Sequence, residues 1–217
     1  MGELGILPSS GVELIDGEVR RSDAVGTRRR WSYDEVVRMV RGGVLDEDER
    51  IELIEGDIVC MTPAGHRHEY VVDLLTEFLA FRVRGRGVLR VQGSVPFDWL
   101  EAPQPDLVVF RMVEDRYRSR QAGAWDALLV VEVADTSLAR DLEKAALYAS
   151  ARIPEYWIVE LQRSVVRVLR GPVGEGYADV REYRNGEVFT CETLGGEVAV
   201  EDVLGPAAAD WPSGCGS

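Results

Sequence analysis

Between Pro105 and Tyr148 the chain alternates unbroken apolar runs with isolated charges. Residues 107–110 and 128–134 are four- and seven-residue runs rich in Val and Leu, the pattern of strands buried on both faces. Asp106 stands at the mouth of the first run, and Glu132 interrupts the second. Residues 141–148 switch to helical spacing: Asp141, Lys144 and Tyr148 share one face at i, i+3 and i+7, while Leu142, Ala145 and Ala146 face elsewhere.

The flanking pattern predicts further elements. Ser32 and Glu35 form a capping box for a helix to Arg41, which Gly42 and Gly43 stop. Residues 51–61 read as a strand, an acidic-Gly turn and a second strand, echoed by a shorter run at 12–19. A helix from His66 to Val83 carries the apolar stripe Val71, Leu74, Leu75, Phe78 and Leu79. Strands are expected at 88–91, 95–99, 156–161, 164–169, 178–183, 187–191 and 197–200, with a surface loop over 111–126. The side chains of Asp135, Thr136 and Ser137 are offered as caps for a 138–151 helix. Residues 1–30 read as a peripheral extension, 31–204 as one domain, and 205–217 as a disordered tail.

A carboxylate inside an apolar strand is costly unless compensated, and a divalent cation is one compensating partner. Two acids on adjacent strands with a lysine nearby predict a metal-dependent hydrolase site. Lys144 is the only lysine among 25 basic residues, leaving 24 arginines. Since ammonium and guanidinium are not interchangeable where a compact charge is needed, its survival points to chemistry rather than to pairing with Asp141. His68, in the first turn of its helix, reads on its own as a structural histidine.

The formal charge of −13 opposes a general polyanion-binding surface. Any basic face must be local, drawn from Arg82, Arg84, Arg86 and Arg90, from Arg111, Arg116, Arg118 and Arg120, or from the arginines between 20 and 30. Three scattered cysteines indicate neither a disulfide framework nor a zinc site. Without a basic leader before a long apolar run, and without a run of membrane-spanning length, a cytoplasmic protein with no membrane partner is expected. No Gly-rich phosphate loop, GxSxG elbow or HExxH motif is present.

An ordered set of short motifs resembles the PD-(D/E)xK nuclease superfamily, and within it the large bacterial Uma-two type of restriction-endonuclease-like proteins. The set comprises Glu52-Leu53-Ile54-Glu55-Gly56, then Pro63, Gly65 and His68, then Pro103-Gln104-Pro105-Asp106-Leu107-Val108. It continues with Val131-Glu132-Val133-Ala134-Asp135-Thr136-Ser137, Asp141, Lys144 and Tyr148, and Ile153-Pro154-Glu155-Tyr156-Trp157-Ile158-Val159. The resemblance covers about residues 31–204. It implies an α/β (α+β) fold, with a mixed sheet flanked by helices and extra antiparallel hairpins.

It also implies phosphodiester hydrolysis, of DNA first, dependent on Mg²⁺ or Mn²⁺. Asp106 and Glu132 would be metal ligands with Glu52 as a third, Lys144 the catalytic lysine and His68 an assisting residue. The superfamily pattern sets lysine two places after the second acid, where this chain has Ala134. In the Uma-two type it comes from the following helix, as Lys144 does. A homodimer is expected if two strands are cut. The rivals are a silent relative that only binds, and a phosphoesterase acting on a small substrate.

Overall fold

Apolar alternation, caps and tight turns set the element boundaries in the computed structural model, which describes residues 12–15, 18–21, 29–61 and 64–205. Strands β1 (Val12–Ile15) and β2 (Glu18–Arg21) form an antiparallel hairpin. Helix α1 (Tyr33–Arg41) begins at the expected capping box. The Ser32 N–H donates to Glu35 Oε2 at 2.9 Å, and the Glu35 N–H donates to Ser32 Oγ at 3.3 Å. Two N–H groups of the first turn are thereby satisfied.

Strands β3 (Ile51–Ile54) and β4 (Asp57–Cys60) pair antiparallel around Glu55 and Gly56, at φ 49° and 81°. Consecutive left-handed residues match the right-handed twist of a two-residue hairpin. Gly56 is required twice over, because a Cβ there would also sit 2.7 Å from Arg30 Cβ. These elements belong to one of two units, residues 1–62 with 96–104. Its core gathers Trp31, Val36, Met39, Leu53 and Ala102.

The second unit spans residues 63–95 and 105–217. In chain order it holds α2 (His66–Val83), β5 (Gly87–Val91), β6 (Leu107–Arg111), β7 (Ala127–Ala134), α3 (Leu138–Ser150), β8 (Glu155–Glu160), β9 (Val165–Val173), β10 (Gly176–Arg184), β11 (Val188–Thr190), β12 (Glu197–Ala199) and α4 (Glu201–Leu204). Six strands form one sheet in the order β10-β9-β8-β7-β6-β5. Only β7 and β8 run parallel, and α3 supplies the crossover between them. The sheet is therefore mixed.

Alternate residues divide its two faces. Leu107, Val109, Leu129, Val131, Val133, Trp157 and Val159 pack with Val71, Val72, Leu75 and Leu79 of α2. On the opposite face Tyr148 of α3 meets Tyr156 of β8 edge-on, with centroids 4.8 Å apart. The expected α/β fold, with a mixed sheet flanked by helices and extra hairpins, is the fold observed.

Two local expectations are corrected. Residues 95–99 form no strand. Pro96 has no N–H for a ladder, and Asp98 Oδ1 instead accepts the N–H groups of Leu100 and Glu101 at 2.7 and 3.0 Å, folding a turn. Nor do side chains cap α3. Ser137 is its N-cap residue without a side-chain cap bond, and its hydroxyl donates to Asp141 Oδ2 at 2.5 Å. The expected tail lies outside the described residues from 206 onward. No helix among the described residues is long and apolar enough to cross a membrane.

Candidate active site

The antiparallel register of β6 and β7 pairs Leu107 with Val131, so Asp106 and Glu132 share one end of that strand pair. Both carboxylates are buried, at 5% and 4% exposure. The Asp106 N–H donates to Glu132 Oε2 at 3.3 Å, and the Val133 N–H donates to Asp106 Oδ2 at 2.9 Å. Strand backbone thus fixes the two acids against each other.

Helix α3 supplies the opposite charge. Its inward face is its polar one: Asp141, Lys144 and Tyr148 are buried, whereas Leu142 is 43% exposed. An ordinary amphipathic helix buries the reverse set. Lys144, only 6% exposed, donates from Nζ to Glu132 Oε1 at 3.0 Å, and the Tyr148 hydroxyl donates to the same oxygen at 2.9 Å. Tyr156 secures the first turn of α3, its hydroxyl donating to the Asp141 carbonyl at 2.8 Å. Burial, and then the charges of Glu132 and Asp141, push its pKa well above the usual tyrosine value. Tyr156 therefore stays a neutral donor.

His68 reaches the same place from α2. Its Nε2 lies 3.0 Å from Asp106 Oδ2. His66 is exposed. Asp106, Glu132, Lys144 and His68 therefore converge, joined by Tyr148, whose hydroxyl has a larger share in the cluster than helical spacing alone suggested. The Val133 N–H carries no side-chain signal, and only the β6–β7 register reveals it.

Glu52 belongs to the other unit. It is 1% exposed, and its Oε1 accepts the Gln104 N–H at 3.0 Å. Among the described residues no group of three or more His, Cys, Asp or Glu side chains is arranged to hold a metal ion. The oxygen donors that do converge are the two carboxylates of Asp106 and Glu132. That set fits a magnesium-type ion, which takes one or two carboxylates and completes its shell with water and substrate phosphate.

The arginines also sort themselves. Arg82 and Arg86 donate to the carbonyls of Glu197 and Leu194 at 2.6 and 2.8 Å, a structural use. Arg163 and Arg167 pair with Glu160 and Glu182, and Arg170 with Glu155.

A mixed sheet with two acids at one strand-pair end and a lysine from the crossover helix defines a restriction-endonuclease-like protein. Residues 33–201 match the Uma2 family, described as "Putative restriction endonuclease", and the chain belongs to that family. Its fold is similar to that of a solved protein from Anabaena variabilis, titled a "putative nuclease belonging to DUF820". The two share 12% identity at a TM-score of 0.64, covering 80% of this chain and 97% of that one. No curated protein matches the chain.

Proposed function

We propose that this protein is a divalent-metal-dependent phosphodiesterase acting on nucleic acid, DNA first, with Asp106, Glu132 and Lys144 as its catalytic centre. The observation that carries this reading is the inverted face of α3. A buried lysine, the chain's only one, pairs with a buried carboxylate beside a second buried carboxylate. Burying charges costs several kcal/mol per ion, so stability alone favours an apolar helix face here. Family membership and the fold of the Anabaena protein support the same class of chemistry.

Asp106 and Glu132 would hold Mg²⁺ or Mn²⁺. The ion would act there as a Lewis acid on a phosphoryl oxygen. Lys144, whose Nζ donates to Glu132 Oε1 at 3.0 Å, would place its positive charge to orient the attacking water and offset negative charge developing on the phosphate. Tyr148 and Lys144 together fix Glu132 Oε1, while the Val133 N–H and His68 hold Asp106 Oδ2. His68 is thereby poised to take or give a proton at the substrate. Residues 31–204 would act as one nuclease domain in the cytoplasm, and cutting both strands of a duplex would take a homodimer.

The test is cleavage of plasmid DNA, single-stranded DNA and RNA with Mg²⁺, Mn²⁺ or EDTA. Metal-dependent cutting by wild type, abolished in Asp106→Asn and Glu132→Gln, is expected. Equal cutting by the variants, or none by any protein on any substrate, overturns the reading. Hydrolysis confined to small phosphodiesters would move the substrate class instead.

A further inference from the structure

The face of the sheet that carries the two acids continues away from them. Side chains alternate along β6, so Asp106, Val108 and Phe110 share the face opposite α2. Leu107 and Val109 lie in the α2 core, and Val108 and Phe110 do not. Phe110 lies at the far end of β6 from Asp106 and is fully buried there. Tyr117, from the loop between β6 and β7, packs edge-on against Phe110 at 5.7 Å, and the Arg90 guanidinium sits 5.0 Å from the same ring. The loop therefore closes over the same face that Asp106 and Glu132 occupy.

This loop is held in an unfavourable backbone. Arg116 and Tyr117 are consecutive non-glycine residues in the left-handed region, at φ 52° and 63°. Such conformations cost of order 1–3 kcal/mol each and persist only where the surroundings over-determine them. Here they do. Asp115 accepts the N–H groups of Tyr117 and Ser119 at 3.1 and 3.0 Å, and the Ser119 hydroxyl as well. The Tyr117 hydroxyl donates to the Arg111 carbonyl at 2.7 Å, and Arg120 stacks on the Tyr117 ring at 4.9 Å. Asp126 takes Arg120 in two bonds of 2.6 and 2.9 Å.

All this bracing presents two cations. Arg116 and Arg118 are exposed, and among the described residues their guanidinium groups make no hydrogen bond or ion pair. Arg163, Arg167, Arg170 and Arg181, in contrast, are paired with acids. Arg116 and Arg118 line one depression with Ser119, Asp115 and Glu114. Asp115, still charged, turns both oxygens to the loop's own N–H and hydroxyl groups rather than to either guanidinium.

We infer that the 112–126 loop is a second contact for the nucleic-acid backbone, Arg116 and Arg118 each taking a phosphate remote from the scissile one. This inference rests on the proposed nuclease reading. Five residues of β6 separate loop from acids, about 17 Å at about 3.4 Å per residue.

Fluorescence anisotropy tests this in EDTA, where nothing is cut. The probe is a labelled 20-base-pair duplex titrated across 50–200 mM salt. The variant is Arg116→Asn with Arg118→Ala, asparagine being tolerated in the left-handed region. Each lost phosphate contact removes about 0.9 from the slope of log K against log salt. The double variant should therefore lose about 1.8, with an unchanged Tm, while Arg116→Lys with Arg118→Lys keeps the wild-type slope. An unchanged slope in the neutral variant overturns the inference, as does a wild type that binds no duplex. A slope that falls by about 1.8 in a protein that never cuts keeps the loop contact and removes only the hydrolase reading.

Discussion

Replacing Lys144 with methionine would leave the stem's apolar burial nearly intact and remove the charge alone. Glu132, 4% exposed, would then be a buried anion without its cation. Breaking one half of a buried pair costs about 3–5 kcal/mol, mainly through the stranded partner. Glu132 keeps the Tyr148 hydroxyl at 2.9 Å and the Asp106 N–H at 3.3 Å. The expected loss is therefore near the low end, about 3 kcal/mol. For a domain of this size each kcal/mol moves Tm by about 2–4 °C, so a fall of about 6–12 °C is expected. Adding Glu132→Gln removes the stranded charge, and the double variant should regain most of the loss. Urea melts and thermal melts in EDTA at pH 7 measure both. Millimolar Mn²⁺ should stabilise Lys144→Met more than wild type, because two acids without their lysine repel each other. A single variant within about 1 kcal/mol of wild type, with no recovery in the double, would refute the buried-pair reasoning.

Two further outcomes follow from local geometry. Ser32→Ala removes the acceptor for the Glu35 N–H and should cost about 1 kcal/mol by urea melt, with no change in any cleavage rate. Cys191 is fully buried, and burial, then the neighbouring Glu155 charge, pushes its thiol from 9.0 up to about 12. A raised folded value means stability is intact below pH 9 and lost between pH 9 and 12, at about 1.4 kcal/mol per pH unit. Wild type should therefore weaken between pH 9 and 10 by about that amount more than Cys191→Ala, and equal slopes would contradict it.

Where the sequence was legible, local physics decided the outcome. The capping box of α1 acts within four residues, and the α2 stripe is set by helical period alone, so both could be read directly. Asp106 and Glu132 stood out because charges in apolar runs are rare, and Lys144 because it is the only lysine. What could not be read depends on contacts distant in sequence. Residues 95–99 look like a strand until Pro96 and the Asp98 turn are considered together. The strained Arg116–Tyr117 backbone gives no composition signal, since neither residue is glycine. The Val133 N–H on Asp106 depends on the register of β6 against β7, which apolar alternation constrains without setting.

The most direct test of the central claim is the rate at which wild type and Lys144→Arg cut supercoiled plasmid with Mn²⁺, measured side by side on folded protein. Arginine keeps the positive charge, but its broad planar guanidinium cannot take the ammonium's place beside Glu132. Removing one such positioned donor costs on the order of 10²–10³ in rate. The account predicts cutting by wild type and a loss of that size in Lys144→Arg. Equal cutting by the two proteins would contradict it.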